Sequence, residues 1–325
     1  MKLVTFLRAD GRRHVGSVLP DGSINDLTAA DPARFADMLT LIDGGAAALD
    51  AARARERQPG TRHAAASVTL LAPLPQPRRL RDFLCFEQHF RQSKANRYLF
   101  GQGNARVDPA AVEIPAVWYD RPIYYKGNIF SVVGPGAEVR WPATSRVIDF
   151  EHEIGAVTGA GGKNLSETAA WEHIFGYTIF NDFSARDLQY EEMAGALGPG
   201  KGKDFDTGNA LGPWLVTADE VGDPHALEMV VRVNGVEWNR GRSSGMHHSF
   251  ARMLAHASSE ETFYPGEVLG SGTVGGGCGN EHGRFLKHGD VVELEVERLG
   301  VLRNRIVAPH VPEAPAFPIR LFPDR

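Results

Sequence analysis

The stretch "VIDFEHEIGAV", residues 147–157, constrains this chain more than any other. It places Asp149, Glu151 and Glu153 at every second position, between apolar Ile148, Phe150 and Ile154, with His152 among them. Period two is the signature of a strand, whose successive side chains point to opposite faces. The three acids therefore share one face. Carboxylates this close repel each other unless something neutralises them. One answer is a solvated strand face. The other is a hard divalent cation, since Mg²⁺, Mn²⁺ and Ca²⁺ all accept oxygen ligands of this kind. No lysine or arginine stands beside the acids, and the neighbours are glycine or small and apolar residues.

Further candidates lie along the chain. In "GYTIFNDFSARDLQYEEM", 176–193, an apolar strand ends at Asn181-Asp182, so Asp182 stands at a strand exit. A helix is expected from Ser184, with Ser184 and Asp187 in a Ser-x-x-Asp cap. Arg186 and Gln189, three apart, share a helical face, unless this is an exposed first turn. "GPGKGKDFDTGNALGPWLVT" carries Lys201 and Lys203 in a glycine-rich loop before a strand. Either lysine could offset negative charge on a substrate or face solvent. "RDFLCFEQHF" is expected to be helical and holds Asp82, Glu87 and His89.

The rest of the chain bounds the architecture. Turns "ADGR" and "PDGS" join short N-terminal strands, and residues 31–56 read as helical, with Asp31 as cap and Pro32 in the first turn. Residues 1–72 are expected to form a small N-terminal mixed α/β domain and 73–325 the larger one. Strands are expected near 176–181, 213–217, 228–234 and 291–298. A late helix is expected within 247–259, where Phe250, Met253, Leu254 and Ala257 recur at helical spacing. Unevenly spaced strand pairs point to an α+β fold rather than repeated βαβ units. "GSGTVGGGCG" lacks the lysine and spacing of a phosphate loop.

A net charge of −5 gives no basic footprint for nucleic acid. No run of 18 apolar residues suggests a membrane span. Cys85 and Cys278 form no metal-type pair and no disulfide framework. With no signal-peptide pattern in "MKLVTFLRADGRR", the expected location is cytoplasmic.

Four segments, "DFEHEIGAVTG", "GYTIFNDFSARDLQ", "KGKDFDTGNALGPWLVT" and "PGEVLGSGTVGG", occur in the order found in the fumarylacetoacetate hydrolase superfamily, which the chain resembles from about residue 72 to 300. The resemblance implies a mixed β-rich catalytic fold, often behind a smaller N-terminal domain, in a homodimer that uses Mg²⁺ or Mn²⁺, with Ca²⁺ also accepted. It makes Glu151, Glu153 and Asp182 metal carboxylates, adds Asp82 as another, and makes His89, seven residues later, the catalytic histidine. Arg186, Gln189 and Lys203 match positions that bind substrate oxygens or stabilise developing negative charge, and Thr273 matches a substrate contact. Asp149 falls outside this ligand set.

The pattern departs in two places. The glutamate that orients the histidine would fall near Leu286-Lys287, which leaves Glu87 or Glu281 as replacements. Leu84 stands where a tyrosine is usual. The implied substrate is a small carboxylate. The implied reaction is hydrolysis of a carbon–carbon bond in a fumarylacetoacetate-like or acylpyruvate-like diketo acid, in aromatic or amino-acid catabolism, with His89 activating water. The alternative is a decarboxylase, isomerase or hydratase acting on a small 2-oxo dicarboxylate through an enolate. The segment 90–120 is the expected specificity determinant.

Overall fold

In the computed structural model, which describes residues 1–308, 315 and 317–319, the second half of the acidic stretch, His152–Thr158, lies inside a 12-stranded sheet. Its main path runs Arg62–His63, Ile24–Asp26, Arg13–Val18, Lys2–Leu7, Asn209–Thr217, Ile174–Asp182, His152–Thr158, Glu267–Gly270, Arg79–Phe83 and Tyr124–Lys126. Neighbours on this path are antiparallel except Glu267–Gly270 and Arg79–Phe83, which run parallel. The small N-terminal α/β subdomain continues the sheet: Lys2 pairs with Val216 and Leu3 with Leu215.

A second sheet of five strands follows the order Val236–Arg242, Glu228–Val233, Val291–Val296, Gly300–Val307 and Glu138–Arg140. Period-two alternation decides which core each side chain enters. Along Ile174–Asp182, Tyr177 and Ile179 join the core shared with Met229, Val231 and Leu294 of the second sheet and with the helix Phe250–Ala257. Phe180 points the other way, into a core built with Leu3, Met38 and Leu41. The central strands are covered on both faces, so any polar side chain at their ends must find partners inside the protein.

The expected helix over 31–56 is instead broken into Leu27–Ala30, Met38–Asp43 and Gly45–Arg57. Asp31 ends the first piece, and Asp37 is the cap of the second, its carboxylate accepting from the Thr40 amide at 2.7 Å. The helix expected from Ser184 starts at Arg186. Ser184 and Ala185 pair with Ile148 and Asp149 in a two-stranded ladder. Asp187 does not cap: it accepts from the Ser145 hydroxyl and the Arg146 amide. Asp82 lies on a strand rather than a helix, because "RLRDF" is gripped between Glu267–Gly270 and Tyr124–Lys126. The late helix is Phe250–Ala257, capped by Ser249. Among the described residues no helix is long and apolar enough to cross a membrane.

Candidate metal centre

The acidic stretch is not one strand. It breaks between Asp149 and His152, and Glu151 pairs singly with Cys278. The break separates the three acids. Glu151 and Glu153 join Asp82 and Asp182, with one oxygen from each of the four carboxylates lying within 4.8 Å of the others. All four residues are at most 5 % exposed. Asp182 and Glu153 come from adjacent strands, but the strand Glu267–Gly270 separates Glu153 from Asp82. Gly270 is what lets them meet. A Cβ at Gly270 would stand 2.5 Å from Asp82 Oδ1 and 2.9 Å from Glu153 Oε2.

Two cations hold part of this charge. Lys203 Nζ donates to Glu151 Oε2 at 2.8 Å, Asp182 Oδ2 at 2.6 Å and Ser184 Oγ at 2.6 Å. Arg186 Nη1 lies 2.7 Å from Glu151 Oε1. Burial opposes the charge on Glu151, yet Lys203 and Arg186 hold its carboxyl well below the usual range. Asp82 and Glu153 have no such cations. Burial, with Asp182 acting on Asp82 and Asp82 on Glu153, pushes both carboxyls up. Asp82 Oδ1 and Asp182 Oδ1 are buried without a hydrogen-bond partner. Four converging carboxylates with orphaned buried oxygens fit a hard divalent cation, whose charge would remove the repulsion and occupy the orphans. Asp82, Glu151, Glu153 and Asp182 are the residues that would hold it.

Around the acids, Tyr125 donates its hydroxyl to Asp182 Oδ2 at 2.5 Å, and the Gly272 amide donates to Glu153 Oε2 at 3.0 Å. Thr273 Oγ1 lies 3.5 Å from Glu153 Oε1. Asp149 is fully buried and satisfied: it accepts from Arg186 Nε at 2.8 Å and from the amides of Gly279 at 2.7 Å and Asn280 at 2.9 Å. It ties Arg186 to the 278–280 turn. Gln189 Oε1 accepts from Arg186 Nη1 at 2.8 Å, leaving Arg186 Nη2 as a buried donor without a partner.

His89, in the helix Glu87–Ala95, lines a cavity of about 220 Å³ together with Asp82, Glu151, Glu153, Lys203 and Thr273. Its Nδ1 is 3.2 Å from Glu281 Oε1, close but off the line of a good hydrogen bond, since that oxygen lacks an aligned donor. Of the two acids named as replacements, Glu281 thus stands beside the histidine. Glu87 instead pairs with Arg91 at 2.8 Å, one helical turn on. Cys278 Sγ is 3.9 Å from His89 Nδ1. Burial and the Glu281 charge push this thiol up, which disfavours a thiolate nucleophile. His152 faces the core with neither ring nitrogen partnered, and burial pushes it down to about 3, so it is neutral.

The structure thus brings Asp82, His89, Glu151, Glu153, Asp182, Arg186, Gln189, Lys203 and Thr273 to one place. Sequence reasoning missed the part played by Gly270; it left Asp149 outside the ligand set and gave Tyr125, in "PIYYKGN", only as an aromatic residue that could line a pocket. Gly270 was visible only as one of many glycines in "LGSGTVGGG".

The chain is similar to known proteins over most of its length. Residues 79–307 match the family model described as fumarylacetoacetate (FAA) hydrolase, C-terminal. A mitochondrial oxaloacetate tautomerase of Xenopus laevis is 33 % identical over 317 residues, covering 94 % of this chain and 90 % of that protein. The crystal structure of a 5-carboxymethyl-2-hydroxymuconate delta-isomerase from Mycobacterium smegmatis superposes with a TM-score of 0.68 at 26 % identity, covering 95 % of this chain and 100 % of that one. A maleylpyruvate hydrolase from Sphingobium, solved with manganese(II) and pyruvate, shares the fold at 24 % identity and a TM-score of 0.71, covering 95 % of this chain and 100 % of that one.

Proposed function

The chain belongs to the fumarylacetoacetate hydrolase family, and from that premise we propose that it is a divalent-metal-dependent isomerase that interconverts the enol and keto forms of a small 2-oxo acid. The observation that carries this reading is the four-carboxylate cluster, of which Asp82, Glu151 and Glu153 line the cavity that His89 also lines. The similarity to an oxaloacetate tautomerase across nearly the whole chain supports the isomerase reading over the carbon–carbon hydrolysis expected from the sequence.

When bound, a divalent cation supplies Lewis-acid polarisation of a substrate carbonyl oxygen. The chain's own groups do the rest. Enol–keto exchange moves a proton between an oxygen and the neighbouring carbon, and breaks no carbon–carbon bond. His89 is the group placed to give or take the proton at carbon, because its ring lines the cavity beside the acids. Glu281 positions it and compensates the charge when the ring is protonated. The unpartnered Arg186 Nη2 is free to hold the substrate's 1-carboxylate. Lys203 has its donors committed to Glu151, Asp182 and Ser184, so its role is to hold the ligand carboxylates in register.

Hydrolysis is the second reading, because the same His89–Glu281 pair could activate water. One experiment separates the two. The purified protein with Mg²⁺ or Mn²⁺ is given freshly dissolved oxaloacetate while enol absorbance is followed, and given acylpyruvates while carboxylate fragments are assayed. Accelerated enol–keto exchange without fragments is expected. Rapid fragment release with no effect on the enol signal would overturn the isomerase reading in favour of hydrolysis.

A further inference from the structure

The cavity at the acids has a second arm. The first arm, toward Phe83, Ile123 and Tyr124, carries no cation beyond Lys203. The second, about 410 Å³, runs past Phe90 to Lys94, Arg97, Arg186 and Tyr190. The two arms share Leu84, His89, Glu151, Gln189 and Met193, so they meet where His89 faces the metal ligands.

The cations of this region divide into two groups. Arg91 is paired with Glu87, Arg186 with Asp149 and Glu151, and Lys203 with Glu151 and Asp182. Lys94 and Arg97 have no carboxylate within ion-pair distance among the described residues, although both line the second arm. Glu151 is the one acidic residue lining that arm, and its charge is already met by Lys203 and Arg186. Lys94 is half-buried, with Nζ 4.5 Å from the centre of the Phe90 ring. Burial and the Arg97 charge pull this ammonium below its usual range, so the pair is set up for an anion that the protein does not supply.

Lys94 follows His89 by five residues on one helix, a rise of about 7.5 Å. Arg97 lies just past the end of that helix, in the turn Arg97–Phe100, and is exposed at the outer end of the arm that His89 also lines.

We propose that Lys94 and Arg97 form a subsite for a second carboxylate, remote from the metal, and so read the far end of a 2-oxo dicarboxylate. The proposal rests on the 2-oxo acid reading above and adds the residues that read the far end of the molecule. Arg97 offers a planar fork and Lys94 a point charge, a combination suited to one carboxylate at the mouth of a partly apolar channel.

The test is a binding measurement, so it stands apart from whether the protein isomerises anything. Mg²⁺-loaded protein is titrated calorimetrically with the diacids 2-oxoglutarate and 2-oxoadipate and with the monoacid 2-oxobutyrate. Wild type, Lys94→Met, Arg97→Met and the double variant are compared; methionine keeps an unbranched stem and removes the charge. At least one diacid should bind wild type about tenfold or more tighter than 2-oxobutyrate, a step worth one charge-assisted contact. Each single variant should lose part of that preference and the double variant all of it, with 2-oxobutyrate affinity unchanged. The proposal is overturned if wild type shows no diacid preference, if the double variant retains it, or if all three ligands weaken together. Absence of enol–keto exchange in wild type that still shows the charge-dependent preference would remove the isomerase reading and leave the subsite.

Discussion

A buried carboxylate meets histidine in two regions of this molecule, and the two meetings differ. In the N-terminal subdomain, Asp26 is fully buried and accepts from His14 Nδ1 at 2.9 Å, His63 Nε2 at 3.0 Å and the Ala29 amide at 2.9 Å. Both of its oxygens have hydrogen-bond partners and the group lines neither arm of the cavity. Near the four acids, Glu281 Oε2 accepts from the Cys278 amide at 3.0 Å while Oε1 sits 3.2 Å from His89 without an aligned donor. His89 opens onto the cavity. A saturated pair cannot change partners without losing hydrogen bonds, so it fastens three strands together. An unsaturated pair facing open space can take up a proton or a ligand. The same residue types therefore make a staple in one place and a reactive centre in the other.

The sharpest way to break this contrast is to remove each histidine in turn. His89→Ala should lower kcat by about 10²–10⁴-fold with Mg²⁺ affinity nearly unchanged, whereas His14→Ala should leave kcat alone. Equal losses of kcat would erase the distinction. Gly270→Ala comes next. Its methyl group would stand where Asp82 and Glu153 converge, so divalent-cation affinity should fall about 10–100-fold, read by calorimetry. An unchanged affinity would mean that the strand between them yields.

Glu281→Gln should cut kcat about tenfold and displace the limb of the pH–rate profile that reports on His89. A merely structural Glu281 would change stability and leave that profile in place. The smallest functional effect belongs to Asp26→Asn, with unaltered kcat and a stability loss of about 1–3 kcal/mol near neutral pH. Its pH dependence has a definite sign. Burial opposes the Asp26 charge, but the Ala29 amide and the two imidazoles hold its carboxyl below 3.8. A depressed carboxylate lends stability that is full above the unfolded value and is lost as pH falls through the folded one. Asp26→Asn should therefore flatten the acid limb of a Tm-against-pH curve below about pH 4. An unchanged limb would mean that Asp26 is not the group being protonated.

How much of this could be read from the chain follows the distance over which each contact acts. Glu151 and Glu153 were marked by period two, and Asp182 by its place at the end of an apolar run, all local patterns. The strands near 228–234 and 291–298 were legible for the same reason. Asp82 reads as helical from the sequence because the strand that grips it, Glu267–Gly270, is more than 180 residues away in the chain. Gly270 shows its purpose only once three strands are side by side. Asp149 could not be separated from its neighbours by spacing, since its partners at Gly279 and Asn280 come from a distant turn and the strand breaks beside it. The Ser184–Asp187 cap failed because tertiary partners, Lys203 and Ser145, claimed both side chains.

The central claim is that the unsatisfied acids exist to hold a divalent cation. Titration of the protein with Mn²⁺, wild type against Glu153→Gln, tests it most directly. Wild type should bind one ion per chain, and the variant should bind it more than about 100-fold more weakly, since even indirect supports of a metal site cost that much. Equal Mn²⁺ affinity in the two proteins would contradict the claim.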